Sequence, residues 1–573
     1  MIGILEALSR LIAAAIEQAY PEAKEQLGQE DIYHMLEVPP NRSMGDYAFP
    51  CFRLARTLRA APPDIAARLC ARMDGAGFCT ADSAGGYLNL FLDKPAFARE
   101  VLDVISKQSD LFGGGSEGEG KTICLDYSSI NIAKRFHIGH LSTTLIGHSL
   151  KRIYDFLGYH TVGINHLGDW GTQFGNLLCA IRRWGGGASV DTLDVQTLMD
   201  LYVKFHEEAE MDPSLPDEGR AWFKRIEDGD PEAAETFERI KALTLKDTQK
   251  VYELLNITFD SYAGESFYQD KMTRVLEELK AKNLLIASEG ASIVDLEPYG
   301  MPPCLILKKD GTTLYATRDI AAALYRYETY HFAKCLYIVA YQQDLHFRQW
   351  FKVLELMGYP FASDLVHVAF GMVSFEGETL STRKGKTVYL EDLLNMALEK
   401  ALAVINEKSP DLPNKDEAAR QVGIGAVIYQ TLSSNRIKDI DFYFDRALNF
   451  EGETGPYVQY THARCCAVLR KAAEQALPEP DWEALSDEEA QALLHLLSRF
   501  PLLVREAAVK YEPFVITRGI TDICQAYNRF YRERRILDDD LHAASARVKL
   551  TQAVKDVVKR GLWLIGMEAP ERM

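Results

Sequence analysis

The sequence predicts an α/β domain built on a parallel sheet, preceded by a small α+β domain and followed by a helical one. Three observations lead there. A buried strand, an amphipathic helix and a second strand succeed one another between residues 122 and 165, and a unit of that kind requires parallel pairing. A glycine-rich polar run at 112–121 (FGGGSEGEGK) separates this texture from what precedes it. Beyond about residue 390 the apolar spacing is helical to the end, apart from an acidic, Pro-containing loop at 477–482.

Taken in order, the first hundred residues alternate helical patterns with one strand-like piece, 86–92 (GYLNLFL). The opening MIGILEALSRLIAAAIEQAYP carries Glu6, Arg10 and Glu17 at amphipathic spacing, without the basic start and apolar block of a signal peptide. After the linker, 122–127 (TICLDY) reads as a strand, 138–157 as a helix and 161–165 (TVGIN) as a strand. A charged, mainly helical stretch from about 190 to 285 reads as an insertion. The α/β texture returns with strands at 304–307 and 314–317 around a Lys309-Asp310-Gly311 turn, then a helix and a strand at 335–340. Another helix leads to 366–370 as the last strand. The domain limits that follow are 1–110, 119–405 and 406–573.

A chain of 573 residues exceeds what one core supports, and 47% hydrophobic with 25% charged residues is ordinary for a globular protein. No apolar run reaches the roughly eighteen residues of a membrane span, so a soluble, cytoplasmic chain is expected. The ten cysteines form no Cys-x-x-Cys pair, which points to reduced buried thiols and no protein-bound metal. A net charge of −18 speaks against a uniformly basic nucleic-acid binder, yet binding depends on local patches. Residues 383–386 (RKGK) and 529–535 (RFYRERR) are such patches, while acidic stretches such as 481–489 dominate the total.

Two motifs carry chemistry. His137-Ile138-Gly139-His140 stands at a strand-to-helix junction, where free N–H groups and the positive end of the helix dipole suit a polyphosphate. Gly139 lets a nucleotide approach the backbone, and the two imidazoles can donate hydrogen bonds to phosphate oxygens. Leu380-Ser381-Thr382-Arg383-Lys384-Gly385 is a basic loop after the last α/β strand, the side on which open parallel sheets place ligands. Alone, the first is equally a surface histidine pair, and the second more often solvated surface.

Together they resemble a class I aminoacyl-tRNA synthetase, and longer strings narrow the resemblance to the arginyl-tRNA synthetase family. These strings are 126–140 (DYSSINIAKRFHIGH), 166–175 (HLGDWGTQFG), 315–319 (YATRD), 342–346 (QQDLH) and 455–464 (GPYVQYTHAR), in the family's order. The resemblance implies a Rossmann-type catalytic domain with a helical insertion and a helical-bundle anticodon-binding domain. It also implies ATP with Mg²⁺, L-arginine and tRNA-Arg as partners, no membrane, and a monomer.

Site residues follow by the same resemblance. Asp126, Tyr315, Asp319 and Gln343 would line the arginine side-chain pocket, and Ser129 and Asn131 would hold its amino-acid end. His137, Gly139 and His140 would bind ATP, with Gly168, Asp169, Ser381 and Thr382. Lys134, just upstream of the His-Ile-Gly-His motif, would supply positive charge to the phosphates, with Arg383 and Lys384. Without that resemblance, Asp319 is a first-turn helix carboxylate and Tyr315 a core aromatic.

Tyr457, Tyr460 and Arg464 fall on one helical face. By spacing alone core packing is the better reading; by resemblance they meet the anticodon, with Tyr531 and the C-terminal Met573. Tyr527, Tyr531 and Arg535 repeat the pattern. Residues 45–49 (GDYAF), with Phe49, resemble the added N-terminal domain that meets the tRNA elbow. The departures are Ile130, Arg135 and Ser142, where the family often has Pro, Pro and Arg, and Asp126, where Glu is common. The reaction implied is attack of the arginine carboxylate on the ATP α-phosphorus, then transfer to a tRNA ribose hydroxyl, with tRNA required for the first step. Other classes stay distinguishable. A small-molecule nucleotidyltransferase would lack the helical domain, a cysteinyl enzyme would show a zinc set, and a glutamyl enzyme's pocket would present Arg. A non-catalytic RNA scaffold would not need His137, His140 and Asp319.

Overall fold

The first predicted helix forms as Ile4–Ala19, burying Ile4, Leu8, Ile12 and Ile16 at 3.6-residue spacing. The computed structural model describes residues 4–21, 28–73, 78–187, 190–288, 290–308, 315–377 and 388–573. Numbered along the chain, β1 (Tyr47–Pro50), β2 (Cys79–Ala84) and β3 (Tyr87–Leu92) make an antiparallel sheet in the order β1-β3-β2. The helix Lys94–Gln108 follows, its N-terminus capped by Asp93, which accepts from the Ala96 N–H at 2.8 Å.

The central sheet is parallel. β4 (Thr122–Asp126) and β5 (His160–Ile164) are joined through the helix Leu141–Phe156. Later in the chain come β9 (Lys334–Ala340) and β10 (Leu365–Phe370), and the order is β10-β9-β4-β5. The chain leaves β4 toward β5 and returns to β9 on the other side. The carboxyl ends of β4 and β9 therefore flank the crevice in which such sheets bind ligands. The helix Leu141–Phe156 lies deep, because Gly147 lets Tyr127 cross it; a Cβ there would meet the Tyr127 ring at 2.2 Å.

Before β9 lies a separate antiparallel sheet of β6 (Ile286–Ser288), β7 (Ala291–Val294) and β8 (Cys304–Leu307). The strand expected at 304–307 thus exists but does not belong to the parallel sheet. The strand expected at 314–317 does not form: the helix Tyr315–Tyr330 begins there, burying Ala316, Thr317, Ile320 and Ala321. Four residues are too few to tell a period of two from 3.6, and the following turns settle it. Nor is 366–370 the last strand. β11 (Val373–Phe375) pairs in parallel with β12 (Ile440–Phe442), inside the region read as wholly helical.

The insertion is helical, with Val195–Met211, Leu215–Glu227 and Pro231–Leu254 its longest helices. The C-terminal bundle comprises Lys415–Leu432, Gly455–Ala472, Glu488–Lys510, Phe514–Glu533 and Leu541–Leu564. It grips the central helix directly: Ser149 donates to the Leu564 carbonyl and Tyr154 to that of Ala508, both at 2.9 Å. No helix among the described residues is long and apolar enough to cross a membrane. All ten cysteines are free thiols, nine of them buried.

Candidate active site and nucleic-acid interface

The crevice is built on the carboxyl end of β4. There Asp126 is followed by a loop in which Ser128, Ser129 and Ala133 all adopt positive φ (69°, 45° and 61°). Non-glycine residues rarely do so, and three within six residues must be held by their surroundings. The loop is zipped to the 167–169 turn: Gly168 N–H donates to the Ile130 carbonyl at 2.8 Å and Ile132 N–H to the Gly168 carbonyl at 3.2 Å. A Cβ at Gly168 would meet Asn131 Oδ1 at 2.4 Å, so close contact requires glycine there.

The His137–His140 turn is a short 3-10 segment leading into the Leu141–Phe156 helix. His137 Nδ1 accepts from the Gly139 N–H at 3.1 Å. That leaves the ring proton on Nε2, free to donate outward. The rings of His137 and His140 lie 4.1 Å apart. Burial lowers the pKa of both and pushes His140 down to about 3; Lys134, exposed nearby, adds to the lowering at His137. The pair is therefore neutral at physiological pH.

Four carboxylates converge below this turn, three of them already matched by the protein's own cations. Asp126 pairs with Arg326 at 2.8 Å, Asp169 with Lys241 at 2.7 Å, and Glu265 with Arg318 at 2.8 Å. Among the described residues, Asp319 has only an imidazole, His346, at 2.6 Å. His166 senses the convergence: Asp126, Asp319 and Asp169 all raise its pKa, but burial outweighs them and the net shift is downward. Glu265 rises to about 7, chiefly through burial.

The structure brings together most of the residues singled out from sequence. Asp126 accepts on its second oxygen from Ser129 at 2.7 Å, so both oxygens are engaged within the protein. Asn131 and Gln343 are exposed at the crevice rim, and Tyr315 stands 67% exposed one turn before Asp319. Asp169 faces inward. Its carboxylate is fully buried and held by Lys241 and by the N–H and hydroxyl of Ser266, so both carboxylate oxygens are spent within the protein. Ser381, Thr382, Arg383 and Lys384 lie outside the described residues. Arg326, His346, Glu265 and Lys241 were not singled out; only His346 lay in a quoted string, and its pairing with Asp319 spans 27 positions.

Arg135, one of the departures, lies 3.8 Å from the centre of the Tyr389 ring, with Glu391 and Asp392 nearby. It thereby joins the loop to the start of the Leu390–Lys408 helix.

The second candidate surface is a C-terminal cavity of about 820 Å³ lined by Tyr457, Tyr460, Arg464, Arg529, Tyr531 and Met573, among others. Arg464 lies between the rings of Tyr460 and Tyr531, 4.9 and 5.1 Å from their centres. Asn528 ties the group together, donating to Tyr457 at 3.0 Å and accepting from Arg464. The expected repeat Tyr527, Tyr531, Arg535 splits. Tyr527 is fully buried and Arg535 faces solvent beside Asp539, leaving only Tyr531 at the cavity. Phe49, expected to meet nucleic acid, is fully buried. All four residues of β1 are buried.

Comparison with known proteins agrees with this architecture. The family description "tRNA synthetases class I (R), catalytic domain" matches residues 101–444. "Arginyl tRNA synthetase N terminal domain" matches 6–92 and "DALR anticodon binding domain" 458–573. An arginine–tRNA ligase of Alkaliphilus metalliredigens is 52% identical, covering 96% of this chain and 97% of that protein. One of Clostridioides difficile is 51% identical over 98% and 99%. Among solved structures, the Thermus thermophilus arginyl-tRNA synthetase is similar with a TM-score of 0.79 and 26% identity, covering 100% of both chains. By sequence along nearly its whole length and by fold, the chain belongs to the arginyl-tRNA synthetase family.

Proposed function

We propose that this protein charges tRNA-Arg with L-arginine in two steps: ATP activates the arginine carboxylate to arginyl-adenylate, and a terminal ribose hydroxyl of the tRNA takes the arginyl group. One observation carries the reading. Of the four converging carboxylates, Asp319 alone lacks a permanently charged partner among the described residues. A half-buried carboxylate left unmatched favours a ligand that brings a cation. A planar guanidinium fits it best, because its fork can bond both carboxylate oxygens. Tyr315, on the same helix, and Gln343 complete the pocket, with Asp126 contributing as a balanced pair. Ser129 and Asn131 hold the amino-acid end.

ATP rests against the His137–His140 turn. The Nε2–H of His137 and the Lys134 ammonium there suit phosphate oxygens as charge develops on them; Gly168, Ser381, Thr382, Arg383 and Lys384 act with them. Mg²⁺ arrives with ATP, held by phosphates and water. Catalysis is positioning and charge stabilisation, with no side-chain nucleophile. The exposed Tyr460 and Tyr531, with half-buried Arg464 between them, stack unpaired tRNA bases, with Tyr457 and Met573 lining the same cavity. The enzyme works as a cytoplasmic monomer.

The test is arginine-dependent ATP–pyrophosphate exchange, with and without tRNA-Arg, beside the same assay with lysine. Exchange with arginine and tRNA together, and none with lysine, is expected. Exchange without tRNA removes the coupling, and no exchange under any condition removes the activity.

A further inference from the structure

The insertion helix Pro231–Leu254 has no part in the reaction as described, yet one face of it is fully buried against the crevice. Thr244, Thr248 and Tyr252 repeat at i, i+4 and i+8, each 2% exposed or less. Lys241, one turn earlier, holds Asp169. Thr244 Oγ1 accepts from the Ala133 N–H at 3.1 Å, at a left-handed position of the loop. Tyr252 OH lies 2.7 Å from Ser128 Oγ, at another, and accepts from Asn165 Nδ2 at 2.8 Å.

The hydroxyls beyond Tyr252 continue the line. Ser128 Oγ and Thr144 Oγ1 are 2.9 Å apart, and the Thr144 hydroxyl reaches the His140 carbonyl at 2.7 Å. A hydroxyl has one proton. With that of Thr144 given to His140, Ser128 donates to Thr144 and Tyr252 to Ser128. The result is a single directed chain, Asn165 to Tyr252 to Ser128 to Thr144 to His140. It joins the end of β5, the strained loop that carries Ser129 and Asn131, and the histidine turn. Asn165 Oδ1 closes it on the loop side, accepting from the Ile130 N–H at 3.4 Å.

We propose that Tyr252 is a positioning residue: its hydroxyl, supplied by the insertion, sets the 128–133 loop and the His137–His140 turn in one register, so that the amino-acid and nucleotide sites are aligned together. This rests on the activity proposed above. Tyr252 touches neither substrate and acts through Ser128 and Asn165. A buried tyrosine hydroxyl needs some partner in any fold. What is specific here is that its two partners belong to two segments of the site and that one of them holds a left-handed backbone.

Tyr252→Phe in the full-length protein keeps the ring against Phe136 and Phe259 and removes only the hydroxyl. Deuterium exchange at the Ile130 and Ala133 amides should quicken about tenfold, with the Leu541–Leu564 helix unchanged. In arginylation, kcat should fall about tenfold and KM should rise for both arginine and ATP, while KM for tRNA stays put. Ser128→Ala breaks the next link, so the double variant should be no worse than the poorer single one. A lowered Tm with unchanged exchange and unchanged kcat and KM overturns the proposal, as do losses that multiply in the double variant. Faster exchange at 130 and 133 in a protein whose wild type charges no tRNA with arginine supports the brace and overturns the activity instead.

Discussion

The crevice at the strand ends and the C-terminal cavity both use tyrosine and arginine, and they use them in opposite ways. In the crevice, Arg326 and Arg318 are buried and consumed by Asp126 and Glu265. In the cavity, Arg464 is held between Tyr460 and Tyr531, which stay 41% and 39% exposed. Buried charges must be paired, so the crevice can discriminate a ligand by the charge its described residues leave unmatched. An exposed aromatic surface tolerates many bases, because every base has a face to stack. On the proposed function, the difference separates a site selective for one small cation from a surface that grips a large polyanion.

The comparison breaks first at Asp319. Asp319→Asn removes the unmatched carboxylate and strands no internal cation. Charging should fall by several hundredfold or more, about 3–5 kcal/mol, with Tm little changed. Steady-state kinetics on arginine checks this, and a loss below tenfold would move the counter-charge elsewhere in the cluster. Lys241→Met does the reverse, leaving fully buried Asp169 without its cation. Stability should drop by about 3 kcal/mol in denaturant titration, and an unchanged midpoint would show that Ser266 alone satisfies that carboxylate.

At the other surface, Tyr531→Ala should raise KM for tRNA about tenfold, as loss of one stacked base of ~1–3 kcal/mol predicts, while KM for arginine holds. Equal rises in both would mean that the cavity supports the crevice rather than the tRNA. The smallest effect is on pH. Unfolded His140 takes a proton near pH 6.5, while folded His140 refuses one until about 3. The unfolded state thus binds more protons, and stability falls as pH drops below 6.5. Tm measured from about pH 7.5 to 5 should decline less in His140→Gln, and parallel curves would contradict the neutral ring.

Much of this was legible from local sequence because it is local physics. Amphipathic spacing marks Ile4–Ala19, a buried apolar run marks β4, and the His137–His140 turn lies at the junction that its motif implied. The failures share one cause. Residues 314–317 were too short to reveal a period, and β12 is a three-residue strand created by its partner β11. Phe49 and Tyr531 look alike as aromatics near signature strings. Which one faces solvent depends on what covers β1 and on what leaves the Phe514–Glu533 helix bare at one edge.

By itself, then, the sequence determined the three-part architecture, the place of the His137–His140 turn and the family, because hydrophobic period and motif order are properties of neighbours along the chain. The tertiary structure alone decided which charges are spent. Asp126 meets Arg326 across 200 positions of chain, Asp169 meets Lys241 across 72, and Tyr252 reaches Ser128 across 124. Pairing in a low-dielectric crevice is set by distance in space, and no local pattern carries that distance.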